Sequence, residues 1–178
     1  MADEVVVPVL RSAGGSLAVF GVLAFLIPFT AAFLAGLPLS AVLGLVTSAF
    51  LIEYGAAPIG IALGLSPAYV FCTITCVEAG IFVLLYGILD SAGRTSGHIH
   101  RFLSWTRSLA KRSRLFDRYG IYGLFICEIL LGVYICAPVA RMFGWQEGPS
   151  FAITMAGYCV AALVTLLATL GIIRLFFA

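Results

Sequence analysis

The chain has 178 residues, of which 62% are hydrophobic and 10% charged, and a mean hydropathy of +1.14. Soluble domains are about a quarter charged, so this chain lacks the charge to coat a water-facing globule and is expected to be an all-α integral membrane protein in a multi-pass arrangement. The net charge of +2 says little, but seven of the ten Lys and Arg lie between Arg94 and Arg118, which marks that stretch as a cytoplasmic loop.

The opening MADEVVVPVLRS carries two acids before an apolar run, Ser16 to Leu37. That run exceeds the roughly 7–15 residues of a secretory core and reads as a retained first span; about 20 apolar residues cross a bilayer. Residues 1–37 thus form an N-terminal segment and first transmembrane helix. Residues 38–90 follow, with an interrupted apolar segment (39–66) and a span (67–89). Residues 91–118 are basic and amphipathic, with Ile99, Phe102, Leu103, Leu109 and Phe116 set among basic residues. Such segments lie in the headgroup layer and attract anionic lipids. His98 and His100 at its start read as an exposed polar turn. Residues 119–178 comprise a second interrupted segment (119–147) and a last span (149–177).

The interrupted segments resemble one another. LIEYGAAPIGIALGL from Leu51 and LGVYICAPVARMFGW from Leu131 align without gaps at an offset of 80, with identities at Leu51/Leu131, Tyr54/Tyr134, Ala57/Ala137, Pro58/Pro138 and Gly64/Gly144. Each is followed by a second proline, Pro67 or Pro149, and an apolar helix. A duplicated unit that crosses the membrane an odd number of times is inverted in its second copy, and Gly/Pro-interrupted segments at matching positions point to a transporter site near the midplane. Proline removes an amide donor and breaks the helix before it. Leu39 to Ile52 is 14 residues, about 21 Å of helix, too short for a core of about 30 Å. The expected architecture is therefore one extra transmembrane helix, then inverted repeats, each a re-entrant helical hairpin plus a transmembrane helix. Gly55, Pro58, Gly60, Gly132 and Pro138 are the hairpin-breaking residues. The first tip lies at Glu53 to Ala57. The second hairpin runs Tyr119 to Leu131, then a tip, then Pro138 to Gln146. The rival is five plain spans in which Pro58 is a kink.

The stretch IEYGAAPIGIALGLSP (52–67) resembles the motif of the small multi-drug export protein family, in which a glutamate, a glycine and a proline precede IGIALGLSP. Ala-Pro-Val-Ala-Arg at 137–141 is similar to the DedA/VTT superfamily. The resemblance covers about residues 38 to 175. It implies opposed re-entrant hairpins and movement of lipids or other amphiphiles: DedA-type proteins return polyprenyl-phosphate carriers, and VTT relatives scramble phospholipids. By position, Glu53 matches the acid of the first hairpin and Arg141 the arginine after the second proline. Tyr54 stands where the first motif usually has arginine. The second hairpin has only Arg141, with Glu128 before it, where DedA proteins usually carry two arginines.

Glu53, Glu78, Glu128 and Arg141 are the ionisable groups in apolar segments. Each costs about 2.5–3.5 kcal/mol at the bilayer centre on insertion scales, so four independent charges are untenable. With three acids and one base, at least one glutamate is left over, and burial disfavours its charged form. The substrate- or proton-binding candidates are Glu53, Arg141, Glu128 and Glu78, with Tyr54 and Tyr134 at corresponding tips, placed to hydrogen-bond substrate or one another. Phosphate loops, HExxH and GxSxG are missing from the sequence, and no catalytic residue, enzyme activity, metal or cofactor is expected. Cys72 and Cys76 share a helix face, but buried cysteine commonly acts as small apolar filler.

The leading expectation is a transporter in the plasma membrane moving an anionic, lipid-type amphiphile (polyprenyl phosphate or phospholipid), with Arg141 taking the anion and Glu53 exchanging a proton or competing for Arg141. An alternative is export of cationic drugs by the surplus acids. A third, of another class, is a non-transporting scaffold using the basic loop. The expected partners are the bilayer, anionic lipids at residues 94–118 and a second copy in a homodimer, with no nucleic acid.

Overall fold

A computed structural model describes the backbone of residues 14–95 and 118–177, and the side chains of 14–91 and 118–171. The described elements are all helices, joined by short turns. Helix α1 is Gly14–Leu34, α2 Leu39–Ile52, α3 Ala57–Ala62, α4 Pro67–Thr95, α5 Gly123–Leu131, α6 Val133–Phe143 and α7 Glu147–Phe177. Four stretches are long and apolar enough to cross a membrane: Gly14–Leu34, Leu39–Ala62, Pro67–Ser91 and Glu147–Gly171. The chain is a multi-pass membrane protein.

Each element starts and stops for a local reason. α1 widens to a π-turn at Val22–Leu26, just before Pro28, which supplies no N–H to the ladder. α2 begins after Pro38, whose extended backbone (φ −68°, ψ 120°) points the chain into the first turn. α3 opens with Pro58 in its first turn, where proline is favoured because that N–H has no helical partner. The stops after α3 and α6 are equivalent. Leu65 N–H bonds Gly60 C=O at 3.1 Å and Trp145 N–H bonds Ala140 C=O at 3.1 Å, with Gly64 and Gly144 at positive φ. This is the glycine closure that satisfies the last carbonyls of a helix.

The stretch Leu39–Ala62 is not straight. Glu53 has φ 51° and ψ −126°, and a 3-10 turn, Glu53–Ala56, joins α2 to α3. Gly44, early in α2, lies against Leu63 at the far end of α3. A methyl on Gly60 would stand 2.6 Å from Val70 Cγ2 and 2.9 Å from Leu45 Cδ1, so α3 is wedged between α2 and α4. Residues 120–143 are broken likewise. A 3-10 turn (Gly120–Tyr122) leads into α5, and Gly132 (φ 78°, ψ 177°) separates α5 from α6. Across that break, the Cys136 thiol points at Leu124 C=O, 3.8 Å away.

The core lies between the two broken units and the long helices. α4 packs on α1, α2, α3 and α6, and α7 packs on α3, α4, α5 and α6. Tyr158, Phe82, Leu45, Ile74 and Leu124 are fully buried there.

Several expectations shift. Pro138 does not break the second unit; it lies inside α6. The break falls at Gly132, the other residue expected to interrupt that unit, because backbone with φ near +80° and extended ψ is open essentially only to glycine. Pro149 is the third residue of α7 rather than its start, and α4 continues to Thr95. His98, His100 and nearly all of the basic 94–118 segment lie outside the described residues.

Candidate functional site

The two breaks meet. Glu53 leaves the end of α2, and its carboxylate lies directly over Gly132, filling the space a Cβ there would need. It accepts hydrogen bonds from the backbone N–H groups of Val133 and Tyr134. These are orphan donors at the start of α6, so Glu53 caps a helix of the other unit and faces its positive dipole end.

Two tyrosines tie the same junction reciprocally. Tyr54 donates its hydroxyl to Ile129 C=O at 3.2 Å, near the end of α5. Tyr134 donates to Phe50 C=O at 2.5 Å, near the end of α2. Each reaches a carbonyl left without a helical partner, which is how broken backbone survives away from water. Neither tyrosine bonds the other.

Beneath the junction lie two further acids. Glu78, midway along α4, is 1% exposed, and Glu128, on α5, is 0% exposed. One carboxyl oxygen from each of Glu53, Glu78 and Glu128 lies within 4.8 Å of the others. Glu78 and Glu128 face one another within hydrogen-bonding reach, and the Cys136 thiol lies beside Glu128. As ionised acceptors, neither buried acid has a well-formed hydrogen bond among the described residues. A carboxylate only accepts, so this pair requires a proton between its members or a cation beside them. Three charges at that spacing in a dry interior repel strongly. An all-oxygen set of this kind could hold a hard metal ion.

The packing makes this closeness possible. A methyl on Gly157 of α7 would sit 2.7 Å from Phe125 C=O and 3.1 Å from Glu128 Cβ, so glycine lets α5 press its acid face against α7. Beside it, Tyr158 is fully buried, and its hydroxyl has no partner among the described residues. The Tyr158 ring lies 6.3 Å from that of Tyr54, the neighbour of Glu53.

Of the residues singled out from sequence, Glu53, Glu78, Glu128, Tyr54 and Tyr134 come together, with Gly132 at their centre. Gly55 and Pro58 line the first break, and Gly60 serves the packing of α3. Arg141 stands apart. It lies in the last turn of α6 and pairs with Asp90 at 2.7 Å, with both side chains partly exposed. Nearby, Tyr86 donates to Trp145 C=O at 2.6 Å. Among the described residues, no base pairs with the three glutamates. Sequence reasoning missed Tyr158 and Cys136. The signal for Tyr158 was there: the offset of 80 that relates Tyr54 to Tyr134 also relates Glu78 to Tyr158.

No curated protein and no solved structure matches the chain. The family model described as "Putative small multi-drug export protein" matches residues 53–164, from the glutamate at the first break through the tyrosine beside the acids. The chain belongs to the small multi-drug export protein family.

Proposed function

We propose that this protein is a membrane transporter that exports cationic amphiphiles, and that the positive group of the substrate is taken by Glu53, Glu78 and Glu128. The observation that carries the reading is the meeting of three carboxylates, from the turn after α2 and from α4 and α5, in one centre where no base stands among the described residues. A cationic ammonium or amidinium group supplies the charge and donors this centre lacks. An anionic head group would meet repulsion there, and its expected anchor, Arg141, is engaged by Asp90.

In this reading the broken units are two re-entrant hairpins, α2–α3 and α5–α6, entering from opposite leaflets as inverted repeats. Support comes from the contact of Gly44 with Leu63, from the Cys136–Leu124 approach and from the reciprocal tyrosine bonds. The packing pattern also supports it: α4 rests on α2 and α6, while α7 rests on α5 and α3. Opening toward either side would part the hairpins at the Tyr54 and Tyr134 bonds and let the acids meet water. Glu53 then has two roles, closing the junction when it caps α6 and binding substrate when it leaves.

The test is transport by the reconstituted full chain of a cationic amphiphilic dye and, separately, of a fluorescent anionic lipid. The reading predicts that the dye moves and that Glu78→Gln abolishes its movement. Lipid movement that survives Glu78→Gln, with no dye movement, overturns it.

A further inference from the structure

The three glutamates leave a question that a large organic cation does not answer: what balances them when the junction is closed. Glu78 and Glu128 are sealed from solvent, and as ionised carboxylates they have no well-formed hydrogen bond among the described residues. A second, independent feature points into the same place. The Tyr158 hydroxyl, on α7, is fully buried and unpartnered among the described residues; its ring lies 6.3 Å from that of Tyr54, the neighbour of Glu53, and it follows Gly157, which packs against Glu128 Cβ. A buried hydroxyl without a partner costs about 1–3 kcal/mol on protein scales; a metal ion would use its oxygen as a ligand.

We propose that Glu53, Glu78, Glu128 and Tyr158 form a coordination site for a hard metal cation of calcium or sodium size, which competes with the organic cation for the centre. The ligand chemistry is oxygen alone, which selects hard cations over soft ones. The three carboxylate oxygens all lie within 4.8 Å of one another, so the point between them is no more than 4.8/√3, about 2.8 Å, from each. Calcium–oxygen bonds of about 2.3–2.6 Å lie within that reach. Magnesium fits less well, because it demands a near-ideal octahedron and keeps several waters, whereas Glu78, Glu128 and Tyr158 are fully buried. The ligands come from the turn between α2 and α3 and from α4, α5 and α7, so the ion would hold both hairpins against both long helices and keep the junction shut. Departure of the ion would free Glu53 and leave three carboxylates whose repulsion opens the centre to substrate. This inference rests on the reading that the acids are the transport site and supplies its counter-ion.

The experiment is thermal unfolding of the purified full chain in detergent at fixed pH, with calcium, sodium or magnesium chloride titrated against choline chloride at constant ionic strength. Calcium or sodium should raise the melting temperature saturably, on the order of 5 °C at high occupancy. Magnesium should raise it less. Tyr158→Phe should weaken the apparent affinity about tenfold, and Glu78→Gln should abolish the shift. The same ion should lower cationic-dye binding in proportion. No saturable shift with calcium or sodium, or the same shift in Tyr158→Phe and Glu78→Gln as in the parent, overturns the site. If the site fails while dye transport stays sensitive to Glu78→Gln, the transport reading stands alone. If the shift occurs without dye transport, the site stands and the transport reading falls.

Discussion

The two breaks in the chain solve one conformational problem in opposite ways. At the first, Glu53 occupies φ 51°, a region that costs a non-glycine residue about 1–3 kcal/mol. At the second, Gly132 adopts φ 78° at little steric cost. A glycine at 53 would relieve the strain, and a side chain at 132 would collide with the Glu53 carboxylate. One break supplies a charged group and the other supplies the room and the N–H donors to receive it. The difference teaches that the strained residue is kept for its carboxylate rather than for the turn.

The largest expected effect comes from filling the room. Gly132→Ala adds a φ penalty and displaces Glu53. Dye transport should fall by about two orders of magnitude, and the loss of a capped, charge-assisted bond together with strain should cost about 3–5 kcal/mol. Chemical denaturation in detergent measures the second quantity, and near-parental stability would contradict the asymmetry. Next is the first break itself. Glu53→Gly loses the hydrogen bonds to Val133 and Tyr134 but relieves the backbone, so the two contributions of about 1–3 kcal/mol nearly cancel. Transport should vanish while the melting temperature changes little; loss of both together would make Glu53 merely structural.

The tyrosine pair should respond more mildly. Tyr54→Phe and Tyr134→Phe each remove one hydrogen bond, worth about 0.5–1.5 kcal/mol. Tyr134 is 42% exposed, so its loss should be the smaller in the same denaturation assay. The smallest effect belongs to the Arg141–Asp90 pair. It is partly exposed and stands outside the acid centre, so Arg141→Ala should cost about 1 kcal/mol or less and leave dye transport near the parental rate. Abolished transport in that variant would return Arg141 to the mechanism and favour an anionic substrate.

Some of this was legible in the sequence. Pro38 and the Glu53–Pro58 cluster bracket α2 at Leu39–Ile52, because proline, glycine and a lone acid each interrupt an apolar helix for a local reason. Of the two residues expected to interrupt the second unit, Gly132 does so and Pro138 lies inside α6; a proline inside a membrane helix is tolerated where neighbours satisfy the freed carbonyl. Gly132 is one of 19 glycines, and its sequence neighbourhood does not reveal its φ. Glu53, Glu78 and Glu128 stand out as acids in apolar runs, but their meeting depends on how three helices pack. Tyr158 reads as core in an apolar helix; only its closeness to the acids gives its hydroxyl a purpose. Arg141 and Asp90 are 51 positions apart and on different helices, so their pairing leaves no local trace.

The central claim is that α2 and α3 form a hairpin that enters and leaves on one side. It is tested by replacing the native cysteines, placing single cysteines at Leu39 or Ser66, and labelling with an impermeant maleimide in right-side-out and inside-out vesicles. Both positions should react from the same side of the membrane. Reaction from opposite sides would make Leu39–Ala62 a crossing helix and leave the acid centre without its opposed hairpins.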